Sequence, residues 1–151
     1  MNLLRKFTAL LLRSESKTQR QERILTQLDS RIRECQKSVQ ALDAQRKAAT
    51  GLLHSLRPQG QGLNRAMLYA VQRKQSALRR RIANIDLEKV QQLTDLKSCE
   101  EDRQKAQVQR LRLIHQSDKY KHLQMLERKA HRQMADRMEE TEIEEIIAWN
   151  K

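Results

Sequence analysis

The chain has 151 residues, with 31 Lys+Arg against 19 Asp+Glu and a formal net charge of +12. Apolar residues make up 38% and aromatics 3%, below the roughly 45–50% apolar content of an average globular domain, so an ordinary packed globular core is excluded. Three Gly and one Pro are too few to turn strands back on each other, which excludes a β-rich or α/β domain and leaves long helices or a disordered basic chain.

The N-terminal stretch Leu3-Leu4-Arg5-Lys6-Phe7-Thr8-Ala9-Leu10-Leu11-Leu12 imitates a signal sequence. Its charges interrupt the apolar run, however, and no small-residue cleavage site follows. Leu3, Leu4, Phe7, Leu10 and Leu11 share a helical face beside Arg5, Lys6 and Arg13, which also fits a membrane-surface helix. From Leu25 the apolar positions are Leu25, Leu28, Ile32, Cys35, Val39, Leu42, Ala49, Leu53 and Leu56. The steps of 3 and 4, with one step of 7 across Arg46, form a heptad seam. A disordered chain has no reason to keep such a seam. Extended backwards, the frame passes through Gln21, Thr18 and Ser14 to Leu11, Phe7 and Leu4. Residues 3–57 therefore read as one helix, weakened between Ser14 and Gln21 and about 80 Å long.

Residues 58–62 hold the only Pro and two of the three Gly and form the predicted turn. Asn64 is a natural N-cap for a second helix over 64–147, roughly 120 Å long. Its apolar positions are Leu63, Met67, Leu68, Val71, Leu78, Ile82 and Ile85, then Val90, Leu93, Leu96, Cys99 and Ala106. That spacing implies a frame shift near Lys89, like a coiled-coil stutter. The predicted fold is all-α: two long helices in one elongated antiparallel coiled-coil hairpin over 1–151, the second helix longer. A reversal about residue 60 sets position i opposite 120 − i. It leaves residues beyond about 117 overhanging, and it keeps Cys35 about 20 Å from Cys99, too far for a disulfide.

Charge varies along the chain. Residues 1–60 hold 12 basic and 5 acidic side chains, residues 61–138 hold 18 and 9, and residues 139–151 hold 1 and 5. A basic shaft thus ends in an acidic tail, and its partners should be acidic where they dock on the shaft.

No catalytic, cofactor or metal motif is present. His54, His115, His122 and His131 form no zinc-like set, and there is no CxxC, glycine-rich phosphate loop, GxSxG or HExxH. The expectation is a non-enzyme without cofactor or metal. Arg73, Lys74, Arg79, Arg80 and Arg81 could face phosphates. A basic zipper is absent, since seven-residue steps from Ile82 meet Lys89 and Arg103, and stacking aromatics are missing. Nucleic-acid binding is therefore not expected. No segment approaches the ~20 apolar residues of a membrane span, so stable membrane insertion is not expected either. Two thiols without a signal peptide fit a reducing compartment, and the expected location is cytoplasmic.

Two stretches carry a family resemblance. Tyr69-Ala70-Val71-Gln72-Arg73-Lys74-Gln75-Ser76-Ala77-Leu78-Arg79-Arg80-Arg81-Ile82 resembles the Tyr-x-x-x-Arg-Lys-Gln-Ser-x-x-Arg-Arg-x-Ile stretch of InvI-type proteins. The tail Glu142-Ile143-Glu144-Glu145-Ile146-Ile147 is similar to their acidic, isoleucine-rich ending, although Ala148-Trp149-Asn150-Lys151 extends past it. The chain thus resembles the type III secretion central stalk family, which includes flagellar FliJ and the injectisome YscO and InvI/SpaM proteins. The resemblance implies a non-enzymatic stalk at the base of the secretion apparatus. Its helix ends would enter a hexameric export ATPase, its loop end would face the cytoplasmic domain of the export gate, and some members bind secretion chaperones.

On that resemblance, Leu4, Phe7, Leu11, Leu123, Leu126, Met134, Met138, Ile143, Ile146 and Ile147 are the expected ATPase contacts. Leu68, Tyr69, Gln72, Arg73, Gln75 and Arg79 are the expected export-gate contacts. The competing expectations are a basic coiled-coil scaffold and a protein that binds nucleic acid or an anionic surface.

Overall fold

The computed structural model describes residues 2–57 and 62–150. It contains two helices, α1 (Asn2–Ser55, 54 residues) and α2 (Arg65–Trp149, 85 residues), packed as an antiparallel hairpin. Residues 58–61 of the expected turn lie outside the described residues. The end of α1 is closed by Leu56 N–H donating to Leu52 O at 3.2 Å and Ser55 Oγ–H donating to the same carbonyl at 2.8 Å. Arg57 precedes Pro58, and a residue in that place is pushed out of helical geometry. The start of α2 is capped as expected, with Ala66 N–H donating to Asn64 Oδ1 at 3.3 Å.

Contacts divide the chain into two units, Met1–Leu25 with Lys105–Lys151, and Thr26–Gln104. In the second unit, the inward residues of α1 are Leu28, Ile32, Cys35, Val39, Leu42, Ala49 and Leu53, at the predicted heptad steps. The inward residues of α2 in this unit are Val71, Gln75, Leu78, Ile82, Ile85, Lys89, Gln92, Leu96 and Cys99. These keep steps of 4 and 3 without interruption, so the expected frame shift near Lys89 does not occur. Val90 and Leu93 are instead exposed, at 61% and 43%. Lys89 holds the frame because its methylene stem can lie along the seam while its ammonium reaches Asp43 Oδ1 at 2.7 Å. Arg46, the polar intruder in α1, does likewise and reaches Asp86 Oδ1 at 2.8 Å.

These pairs also correct the register. Asp43 meets Lys89, Arg46 meets Asp86 and Arg103 meets Asp29, so in this unit position i faces about 132 − i, not 120 − i. The shift has two physical sources. Pairing does not begin where α2 begins, since Arg65–Ala70 are exposed, and Gln75 Nε2–H, ten residues into the helix, donates to Leu56 O at the end of α1. The expected register would also have set Arg46 against Lys74 and left Asp43 and Asp29 opposite Ala77 and Gln91. The observed one gives each a counter-ion.

The other unit follows the same rule on its own evidence. Arg110 donates to Glu22 Oε1 at 3.2 Å and Gln124 donates to Thr8 Oγ1 at 3.1 Å. Its inward positions are Leu4, Phe7, Leu11, Ser14, Thr18, Gln21 and Leu25 on α1. Ala106, Arg110, Leu113, Ser117, Tyr120, Gln124 and Glu127 face them from α2. The polar stretch seen in the sequence is real packing here. Ser14 and Ser117 are only 4% and 7% exposed, and Ser14 Oγ–H donates to Leu113 O at 3.4 Å.

Two outcomes follow from this core. Ile32→Ala should cost roughly 2–4 kcal/mol in urea unfolding followed by helical ellipticity, while Leu93→Ala should fall within about 0.5 kcal/mol of wild type. A large loss at Leu93 would restore the shifted frame. Gly51 is exposed within α1, and nothing lies within 4 Å of a Cβ built on it. Gly51→Ala should therefore raise stability by about 0.5–1 kcal/mol in the same measurement.

Candidate docking surfaces

No group of three or more His, Cys, Asp or Glu that could hold a metal ion occurs among the described residues. Among the described residues, no helix is long and apolar enough to cross a membrane.

The first surface lies in the unit that contains both helix ends. Inward packing on α2 stops at Glu127, and residues 128–150 are exposed throughout. The uncovered stretch therefore begins about ten residues later than the symmetric reversal implied. It carries Met134 and Met138, each 68% exposed, Ile143 at 56%, Ile146 at 62% and Ile147 at 57%. Helices owe most of their stability to a packed apolar face, and so many large apolar side chains along an uncovered stretch suit a protein surface. Leu123 and Leu126, at 43% and 50%, extend the apolar surface towards the packed section.

The expected residues on α1 are placed differently. Leu4 and Phe7 are half-buried, and Leu11 is 9% exposed. They face α2 at the inward heptad positions, so they shape this end more than they cover it.

Trp149, in the extension past the acidic ending, is 96% exposed. With Glu142, Glu145, Ile146 and Asn150 it lines a shallow, open depression. The available signal was the chain's only Trp standing in a polar tail, and indole rings are enriched where protein surfaces meet.

Charge at the helix ends is also informative. The first turn of α1 holds no acid, and the last turn of α2 holds no base. Arg5 and Lys6 stand near the positive end of the α1 dipole, and Glu144 and Glu145 near the negative end of the α2 dipole. Both arrangements oppose the helix dipoles and destabilise the free ends by a few tenths of a kcal/mol per charge. A partner offering acids to one end and bases to the other would relieve this.

The second surface lies in the other unit, on the first turns of α2. Leu68 and Tyr69 are exposed at 39% and 55%, and Gln72, Arg73 and Arg79 are exposed as well. Tyr69 and Arg73 are one helical turn apart and share a face. Gln75 is set apart from this group: half-buried, its amide donates to the Leu56 carbonyl at 3.3 Å. That bond satisfies a backbone acceptor just past the end of α1, a structural service that turns the side chain away from solvent. Lys74, Arg80 and Arg81 are exposed beside it.

Across the hairpin, the ion pairs are all partly solvated, with side-chain exposures between 33% and 50% for the four lysine or arginine pairs. Each should contribute about 0.2–1 kcal/mol, less at high salt. Their use is orientation, as the register shows. A double-mutant cycle on Asp43 and Lys89 should give a coupling in that range that shrinks in 1 M NaCl, read from urea midpoints.

The family model described as Salmonella surface presentation of antigen gene type M protein matches residues 5–147. No curated protein and no solved structure matches the chain.

Proposed function

The chain belongs to the Salmonella surface presentation of antigen gene type M protein family, a family of type III secretion proteins, and on that membership we propose that it is the non-enzymatic central stalk of the apparatus. In this reading the end formed by residues 1–25 and 105–151 enters the hexameric export ATPase. The first turns of α2 meet the cytoplasmic domain of the export gate. The protein then acts in the cytoplasm at the base of the apparatus, and it promotes ATP hydrolysis and export without chemistry of its own.

One observation carries the proposal: residues 128–149 are helix exposed along its whole length, with large apolar side chains. A helix is stabilised in a ring pore by the same burial that a partner helix would otherwise supply, at about 25 cal/mol per Å² of apolar surface removed from water. The charge pattern supports the same use. Arg5 and Lys6 near one terminus and the Glu139–Glu145 block near the other give a ring two charge signs to match. Leu123, Leu126, Met134, Met138, Ile143, Ile146 and Ile147 supply the apolar contacts, with Leu4, Phe7 and Leu11 holding the helices together where the ring grips.

At the gate, Leu68, Tyr69, Gln72, Arg73 and Arg79 form the contact, and Gln75 holds the α2 segment to the end of α1. An acidic face on the gate is the chemistry that Arg73 and Arg79 select.

The test is stimulation of the purified export ATPase by the full chain. Met134→Asp with Met138→Asp should weaken the stimulation at least about tenfold, since two buried methionines would become desolvated carboxylates. Arg73→Glu with Arg79→Glu should leave hydrolysis unchanged and abolish secretion. Full stimulation by the methionine double variant would remove the ring assignment, and normal secretion by the arginine variant would remove the gate assignment.

A further inference from the structure

The corrected register changes what the two cysteines can do. Cys35 and Cys99 are 64 residues apart in sequence, and both occupy inward heptad positions of the unit Thr26–Gln104. With position i facing 132 − i, Cys35 looks at residue 97, two positions from Cys99. At 1.5 Å rise per residue the two are offset by about 3 Å along the helices. Axes 8–10 Å apart, with Cα atoms about 2.3 Å from each axis on the facing sides, then set the Cα atoms roughly 4.5–6 Å apart. That lies within the range a disulfide spans. Both residues are free thiols, Cys99 buried at 6% exposure and Cys35 half-buried.

We infer that Cys35 and Cys99 form a reversible covalent clasp across this helix pair, an intramolecular disulfide made by exchange with a small-molecule disulfide of the glutathione type. The balance is simple. The thiolate of one cysteine attacks a sulfur of the small disulfide, and one small thiol leaves. The thiolate of the other cysteine then attacks the mixed disulfide, and a second small thiol leaves. The two protein thiols are oxidised, one small disulfide is reduced to two thiols, and both protein thiol protons end on the released thiols.

The electrostatics agree with a close pair. The Cys35 thiol is pushed up first by burial, next by the neighbouring Cys99 and Asp95, with Glu34 adding and Arg31 opposing. At neutral pH Cys35 therefore rests as the thiol, and attack from it is slow unless the pH is raised. Once made, the bond closes a long loop and ties α1 to α2 within the seam.

The experiment equilibrates the purified full chain in glutathione redox buffers, native and in 6 M urea, and quenches with acid. The native protein should lose both thiols and about 2 Da as a monomer, with a peptide map joining the two cysteines. The intramolecular equilibrium should favour the disulfide at least about tenfold more in the native protein than in urea, since a bond that stabilises the fold is itself stabilised by it. The oxidised form should melt about 5 °C or more above the reduced form, and dithiothreitol should reverse the shift. Cys35→Ser should give only a mixed glutathione adduct with no such shift. Two retained thiols, disulfide-linked dimers in place of the internal bond, or an equilibrium no better than in urea would each overturn the proposal.

Discussion

Register in this hairpin depends on charge pairs across the helices. A heptad seam of leucines, isoleucines and alanines is nearly periodic, so sliding one helix by a few turns would still set apolar residues against apolar residues. The ion pairs break that degeneracy. Asp43 with Lys89, Arg46 with Asp86 and Asp29 with Arg103 agree on one alignment in one unit, and Glu22 with Arg110 agrees with it in the other. No single pair is strong. Four weak pairs that concur add up, because a shift by a whole heptad would forfeit all four at once. Polar residues inside the seam, costly in a globular core, here choose among alternatives that burial alone would leave open.

The helices were legible because their signal is repeated many times over. Leu28, Ile32, Cys35, Val39 and Leu42 need no partner to be recognised as one face, and Asn64 and Pro58 mark the ends by local chemistry. What the sequence hid was how the two faces meet. Lys89, Gln92 and Arg103 stand at heptad positions of α2, and a reading keyed to hydrophobicity steps past them to Val90 and Leu93, which lie outside. Arg46 was recognised as an intruder in α1, yet its counterpart Asp86 is 40 residues away and nothing local points to it. The error in register followed from taking the turn as the symmetry point, when the first turns of α2 extend past the end of α1. The two cysteines inherited that error, which placed them apart when they are near neighbours.

The docking faces were legible in a different way. Met134, Met138 and the tail isoleucines stand out because the described part of α1 does not reach them, and the structure leaves them exposed. Leu11 and Gln75, expected in the same two sets on the family resemblance, are turned inward by packing and hydrogen bonding. Membership of a type III secretion family gives these faces a setting. It assigns no residue, since the exposed positions are the ones a periodicity analysis has least to say about.

One consequence of the antiparallel register concerns the order in which the chain comes together. The bond between Gln75 and Leu56 joins residues 19 apart in sequence, whereas that between Gln124 and Thr8 joins residues 116 apart. Loop-closure entropy grows with the length closed, so the contact beside the reversal can form first and shorten the effective loop for each contact after it. The hairpin is therefore built to assemble as a zipper from the reversal outwards. The termini are the last to close and, by the same reasoning, the first to separate. The end that carries the uncovered helix is thus also the one whose paired state costs least to open.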